Sequence, residues 1–243
     1  MRFAFRTLWL IGLVLFCVPL HLLWRLFHIQ SPWPQRFLGW CARAVGMRAT
    51  IVGTPAKGVV LYAANHQSWK DILLIGGITG ASFVSKESVR NWPAAGHLAT
   101  MVGTIYISNS DRRDAAKQAQ HIRDALADGK SVAFFPEGRL NEGQMIRFRP
   151  ALFGAVVPPE GDVVVQPIAI DYGENSEALI WRRGSHAARH AKAVMNRPGL
   201  QNVTIHMLEP IVPHADSHRR DIAALCEAAI ADALGQEVED TPA

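Results

Sequence analysis

The sequence predicts an α/β fold: a mixed central sheet flanked by helices, preceded by a membrane-associated helical hairpin. Three observations carry this. From about residue 48 short apolar runs alternate with amphipathic stretches. An uncharged run from Thr7 to Trp24 lies close to the N-terminus. Two polar clusters stand directly after two of the apolar runs, where strand-borne loops present functional groups.

The N-terminal run is preceded by Arg2 and Arg6 and closed by Arg25, with Pro19 and His21 inside it. At ~1.5 Å per residue, Thr7–Trp24 reaches about 27 Å, just short of a ~30 Å hydrocarbon core. A signal peptide is the competing reading, but no small-residue cleavage site follows. After the break Ser31-Pro-Trp-Pro34, residues 35–45 place Phe37, Leu38, Cys41 and Val45 on one side, and Gly46 suits the end of that helix. Residues 1–47 therefore read as a hairpin that dips into, or barely crosses, a membrane. Residues 48–236 read as the catalytic domain and residues 237–243 as a disordered tail.

Within the domain, strands are expected at 49–52, 59–64, 82–85, 104–107, 131–135, 163–170 and 203–208. Helices are expected at 69–76, 93–101, 111–127, 149–156, 185–195 and 217–234. The helix at 111–127 has a stripe of Ala115, Ala119, Ile122 and Leu126 and ends at Gly129. Arg112 and Arg113 in its first turn oppose the helix dipole. They pair with Asp111 and Asp114, or they clamp a phosphate at the helix N-terminus.

Composition narrows the function. The chain is 49% hydrophobic with a mean hydropathy of +0.07, and 25 Lys and Arg face 21 Asp and Glu. This mild basic excess suits anionic membranes, phosphate-bearing substrates or an acidic carrier protein. It is too small for nucleic acid, and no nucleic-acid motif is present. Cys17, Cys41 and Cys226 have no metal or redox spacing. A reducing, cytoplasm-facing domain follows. No cofactor and no metal are expected. His186 and His190 lie four apart, as do His214 and His218, yet no H-E-x-x-H occurs and basic neighbours disfavour a cation. These histidines read as solvent-facing.

The first polar cluster is NHQSWKD at residues 65–71, entered from Gly58–Ala64. His66 and Asp71 are five residues apart. If a helix begins near Ser68, Asp71 occupies its first turn and can fold back to the imidazole, fixing its tautomer and freeing the other nitrogen to take a proton. The same spacing fits a capping box at Ser68–Asp71, with His66 an ordinary loop histidine. The second cluster, Pro136-Glu137-Gly138-Arg139, ends the strand Ser131–Phe135. Proline stops the strand, and glycine lets the backbone approach a ligand. A surface turn reads the same way.

Together the two clusters resemble the glycerolipid acyltransferase family typified by lysophosphatidic acid acyltransferases. That family shows N-H-x4-D, G-x-x-[FY]-I-x-R, F-P-E-G and an apolar strand with V-x-P. Here these read Asn65–Asp71, Gly103–Asn109, Phe135–Gly138 and Val165-Gln-Pro167, over about residues 58 to 171. The resemblance implies transfer of a fatty acyl group from acyl-CoA or acyl carrier protein to the hydroxyl of a lyso-lipid. The first expectation for the acceptor is 1-acyl-glycerol-3-phosphate, giving phosphatidic acid, at the cytoplasmic side of the inner membrane.

His66 would be the general base and Asp71 its partner. Asn65, Gln67, Ser68, Glu137 and Gly138 would shape the acceptor site. Two positions depart from the pattern: Asn109 stands where an arginine is usual, and Arg139 where a small hydroxyl residue is usual. Arg139, Arg112 or Arg149 would then supply the missing charge, or the acceptor is another lyso-lipid, such as lyso-ornithine lipid.

Two rivals remain. A serine esterase would use Ser68, though the chain has no G-x-S-x-G. A non-enzymatic lipid-binding module would use the hairpin and the basic stretch 182–200, which reads as a solvated helix or as a surface for membrane or carrier.

Overall fold

The computed structural model describes residues 1–239 apart from 29, 94, 108–111 and 183, and of residues 112–114 the backbone only. The hairpin forms: α1 (Arg2–Leu26) runs through Pro19 without ending, and α2 (Trp33–Ala44) returns along it. At ~1.5 Å per residue α1 is about 37 Å long, and it is long and apolar enough to cross a membrane.

The strands are β1 (Met47–Gly53), β2 (Val60–Ala64), β3 (Ser82–Lys86), β4 (Ile105–Ile107), β5 (Val132–Phe134), β6 (Val164–Asp171) and β7 (Gln201–Met207). The helices after the hairpin are α3 (Lys70–Thr79), α4 (Ala95–Met101), α5 (Arg112–Ala127), α6 (Ser176–Leu179), α7 (Ala187–Asn196) and α8 (Arg219–Leu234). Every expected strand is present within a residue or two.

Two expectations change. Residues Pro150–Val156 form a 3-10 helix rather than an α-helix. Gly154 is a poor helix former in its middle, and seven residues are too few for an α-helix to be favoured on its own. Residues 237–239, expected in a disordered tail, are held: Glu239 N–H donates to the Met145 carbonyl at 2.8 Å and its carbonyl accepts from Arg147 N–H. An acidic composition is no obstacle when a neighbouring loop offers free backbone groups.

The seven strands lie in the order β1-β7-β6-β2-β5-β3-β4. All neighbouring pairs are parallel except β6 with β7, so the sheet is mixed. β2 is central and every residue in it is buried, as a strand covered on both faces requires. Its side chains alternate between two cores. Val60, Tyr62 and Ala64 face the layer of α3 and α7, onto which the hairpin packs. Leu61 and Ala63 face the layer of α5, the 3-10 turn and α8.

Two contacts fix the hairpin to the domain. α2 crosses α3 where Gly39 meets Gly77, and a Cβ on Gly77 would fall 2.5 Å from the Gly39 Cα. At the other end Arg6 buries its guanidinium and donates to the carbonyls of Val45, Val194, Met195 and Gly199 at 2.7–3.3 Å. A buried cation is tolerated there because helix-end carbonyls surround it.

Candidate active site

β2 and β5 are parallel neighbours, with Ala63 opposite Phe134. Their carboxyl ends therefore open on the same side, and the clusters that follow them meet. The buried side chain of Asn65 continues the sheet: its amide donates to the Ile170 carbonyl at 3.0 Å and accepts from Ile170 N–H at 2.7 Å. That fixes the start of the next residue, His66.

The His66 ring stacks on Phe135, with centroids 3.9 Å apart and planes 13° from parallel. Its Nδ1 lies 2.9 Å from Asp71 Oδ2. Asp71 is fully buried in the first turn of α3. The same Oδ2 accepts the backbone N–H groups of Gln67 and Ser68, each at 2.8 Å, and Oδ1 accepts the Tyr172 hydroxyl at 2.6 Å. Both carboxylate oxygens are thus held by donors, which fixes their orientation toward the ring. With Nδ1 carrying the proton toward Asp71, Nε2 is left with its lone pair. The imidazole is 19% exposed, enough for a substrate hydroxyl to reach it.

Glu137 is almost wholly buried and joins the two corners. Its Oε2 accepts His66 N–H at 2.6 Å, and its Oε1 accepts Asn141 Nδ2 at 2.8 Å and Ile146 N–H at 3.3 Å. Burial pushes its pKa up to about 8, against the opposing pull of those donors. Gly138 follows with φ +69°, in the left-handed region glycine favours, and is exposed beside the Arg149 guanidinium. Arg149 is exposed and its N–H donates to the Pro136 carbonyl at 2.9 Å, and Arg139 is half-buried.

Other predicted residues take supporting positions. Gln67 and Ser68 are buried, and Ser68 Oγ accepts from Lys70 Nζ at 2.8 Å. A seryl hydroxyl with no exposed surface cannot meet an incoming carbonyl, so the esterase reading loses its nucleophile. The backbone of Arg112 begins α5 after β4, at the far edge of the sheet, while its side chain, like Asn109, lies outside the described residues.

Some contributors went unseen in the sequence. Lys70 is fully buried, donates to Ser68 Oγ and to the Leu179 carbonyl at 2.5 Å, and sits 5.4 Å from the centre of the Tyr172 ring. Burial lowers its pKa to about 8, although Asp71 pulls the other way. Lys70 stands inside the first cluster, so its position was in view. Tyr172 reaches Asp71 from 101 residues away, and no local spacing signals it.

His190, read as solvent-facing, is instead half-buried. It accepts from Trp69 Nε1 at 3.2 Å and stacks on Trp181, and burial together with nearby Lys70 lowers its pKa to about 4. No group of three or more His, Cys, Asp or Glu among the described residues could hold a metal.

An imidazole fixed by a carboxylate, at the carboxyl ends of central parallel strands, is the equipment of an enzyme that moves protons. The chain belongs to the acyltransferase family, whose model, described as Acyltransferase, matches residues 48–171. It is 34% identical over 205 residues to a lyso-ornithine lipid O-acyltransferase of Rhodobacter capsulatus, covering 81% of this chain and 73% of that one. It is 31% identical over 151 residues to a 1-acyl-sn-glycerol-3-phosphate acyltransferase of Neisseria gonorrhoeae, covering 60% of this chain and 56% of that one. In fold it is similar to the crystal structure of the 1-acyl-sn-glycerophosphate acyltransferase PlsC from Thermotoga maritima. The TM-score is 0.62 at 18% identity, over 96% of each chain.

Proposed function

We propose that the protein transfers a fatty acyl group from acyl-CoA or acyl carrier protein to the hydroxyl of lyso-ornithine lipid, at the cytoplasmic face of a membrane. The observation that carries the chemistry is the His66–Asp71 pair with its half-open imidazole. An alcohol is a weak nucleophile at neutral pH. His66 Nε2 takes its proton as the oxygen attacks the thioester carbonyl, and Asp71 stabilises the imidazolium. When the carbon–sulfur bond breaks, the imidazolium returns the proton to the leaving thiolate. Glu137, whose oxygens are occupied by N–H donors, serves by holding the His66 backbone against the second corner.

Two observations support this acceptor. Asn109 stands where phosphate-binding relatives carry arginine, and the R. capsulatus relative is named for lyso-ornithine lipid. Arg149 lies beside Gly138 and Arg139 follows it in sequence, and a guanidinium there would suit an acceptor carboxylate. The second reading, 1-acyl-glycerol-3-phosphate as acceptor, has the N. gonorrhoeae relative behind it.

Purified protein with acyl carrier protein thioester or acyl-CoA, offered each lyso-lipid in turn, tests both. Lyso-ornithine lipid is the expected better acceptor by kcat/KM. Faster turnover of 1-acyl-glycerol-3-phosphate reverses the choice, and transfer to neither ends the proposal. His66→Ala is expected to lower transfer by about 10²–10⁴-fold with thermal unfolding unchanged.

A further inference from the structure

His190 of the basic stretch 182–200 packs on Trp69 of the first cluster, and the exposed cations around it have a separate use. Lys and Arg are unevenly spread along the chain. Residues 1–70 carry eight and no Asp or Glu, residues 178–208 carry five and none, and all other residues carry twelve against twenty-one. The fold sets the two acid-free stretches side by side. β1 pairs with β7 along its whole length, and Arg6 of α1 closes on the last carbonyls of α7.

The opposite layer carries both signs: Asp124, Glu160, Asp221, Glu227 and Asp232 stand there among Lys117, Arg123, Arg219 and Arg220. One layer of the sandwich is thus basic and the other mixed.

The basic layer is also the one that bears the apolar helix. Phe5, Leu8 and Trp9 of α1 are exposed on either side of the turn where Arg6 pins α1 to α7. On α7 itself, Val194 and Met195 are buried against the core, while Arg189 and Lys192, one turn apart, are exposed. A cationic ridge beside an exposed apolar helix matches a bilayer that offers acyl chains and anionic headgroups side by side. An acidic carrier protein fits the charge alone, and does not account for the apolar residues that border it.

We propose that α7 and the adjoining β1–β7 edge form a headgroup-binding flank that seats the protein on an anionic bilayer next to the apolar face of α1. The layer that carries the carboxylates of α5 and α8 then points away from the like-charged surface, so the uneven charge also orients. Arg189 and Lys192 bind lipid phosphates as point charges and take no part in the transfer step.

The test compares the full-length protein with an Arg189→Gln/Lys192→Gln variant. Partition is measured by co-sedimentation with phosphatidylcholine vesicles, with and without phosphatidylglycerol. The variant is expected to lose about 30-fold in partition onto the anionic vesicles and nothing on the neutral ones, since two basic residues near such a surface together contribute ~2 kcal/mol. High salt should erase the difference, and Arg189→Lys should restore binding.

Activity in neutral detergent micelles with acyl-CoA reports separately on the transfer chemistry and is expected to be unchanged. Equal partition of both proteins onto both vesicles overturns the proposal. So does a defect confined to turnover with acyl carrier protein, which would assign the ridge to the carrier.

Discussion

Tyr172 and Lys70 are the residues that give the His66–Asp71 pair its stiffness. Tyr172 donates to the Asp71 oxygen that His66 does not use, and Lys70 holds the Ser68 hydroxyl beside it. Tyr172→Phe keeps the ring in its buried place and removes one charge-assisted hydrogen bond. Its kcat is expected to fall about 10-fold, with a displaced acidic limb of the pH–rate profile, where the base becomes protonated. A merely structural role would lower stability and leave that limb where it was.

Lys70 carries a pH signature of its own. Its folded pKa of about 8 lies below the usual lysine value, so between the two the unfolded chain binds more protons than the folded one. Stability is therefore expected to rise as pH is raised from about 8 toward 10.5, and Lys70→Met should remove that rise. Thermal melts of both proteins across the window check the sign.

At this scale His66, Asp71 and Glu137 were legible, because strand-end polar residues at fixed spacing leave a trace in one sequence. Tyr172 was not, because nothing local distinguishes a tyrosine that caps a strand from one that reaches a carboxylate. The burial of Glu137 and its hold on the His66 backbone were not legible, since spacing reveals position but not burial.

Among the elements, the contact of α2 with α3 is the closest in the anchoring layer. Gly39 and Gly77 meet backbone to backbone, and Gly76 lies against Leu38. A side chain at Gly77 must push the helices apart. Gly77→Leu is expected to destabilise by about 1–3 kcal/mol, as overpacking does, and to loosen the hairpin. Denaturant midpoints together with limited proteolysis near residues 27–32 would read both effects.

The period of the apolar residues foretold α2 and its buried side, but the partner was hidden. Glycines inside a helix read as weakness until the helix that lies across them is known. The 3-10 turn at Pro150–Val156 was misread for a related reason, because apolar spacing alone cannot separate it from a helical turn.

For the whole molecule, the arrangement of layers was readable from the alternation of strand and helix, whereas the strand order was not. Nothing local says that β7 enters between β1 and β6, parallel to the one and antiparallel to the other. Arg6 links the hairpin to that edge by donating to carbonyls in three separate segments. Arg6→Met removes the donors and leaves those carbonyls unpaired. The N-terminal half of α1 is expected to detach first, seen as faster amide exchange in residues 2–10 and at 194–199 with the sheet unaffected.

The glycine crossing has a mechanical meaning as well. Side chains between two helices act as cushions, shifting rotamers to absorb small displacements. Where Gly39 rests on Gly77 there is no such padding. A displacement of α2 at that point meets backbone directly, in the helix whose first turn bears Asp71.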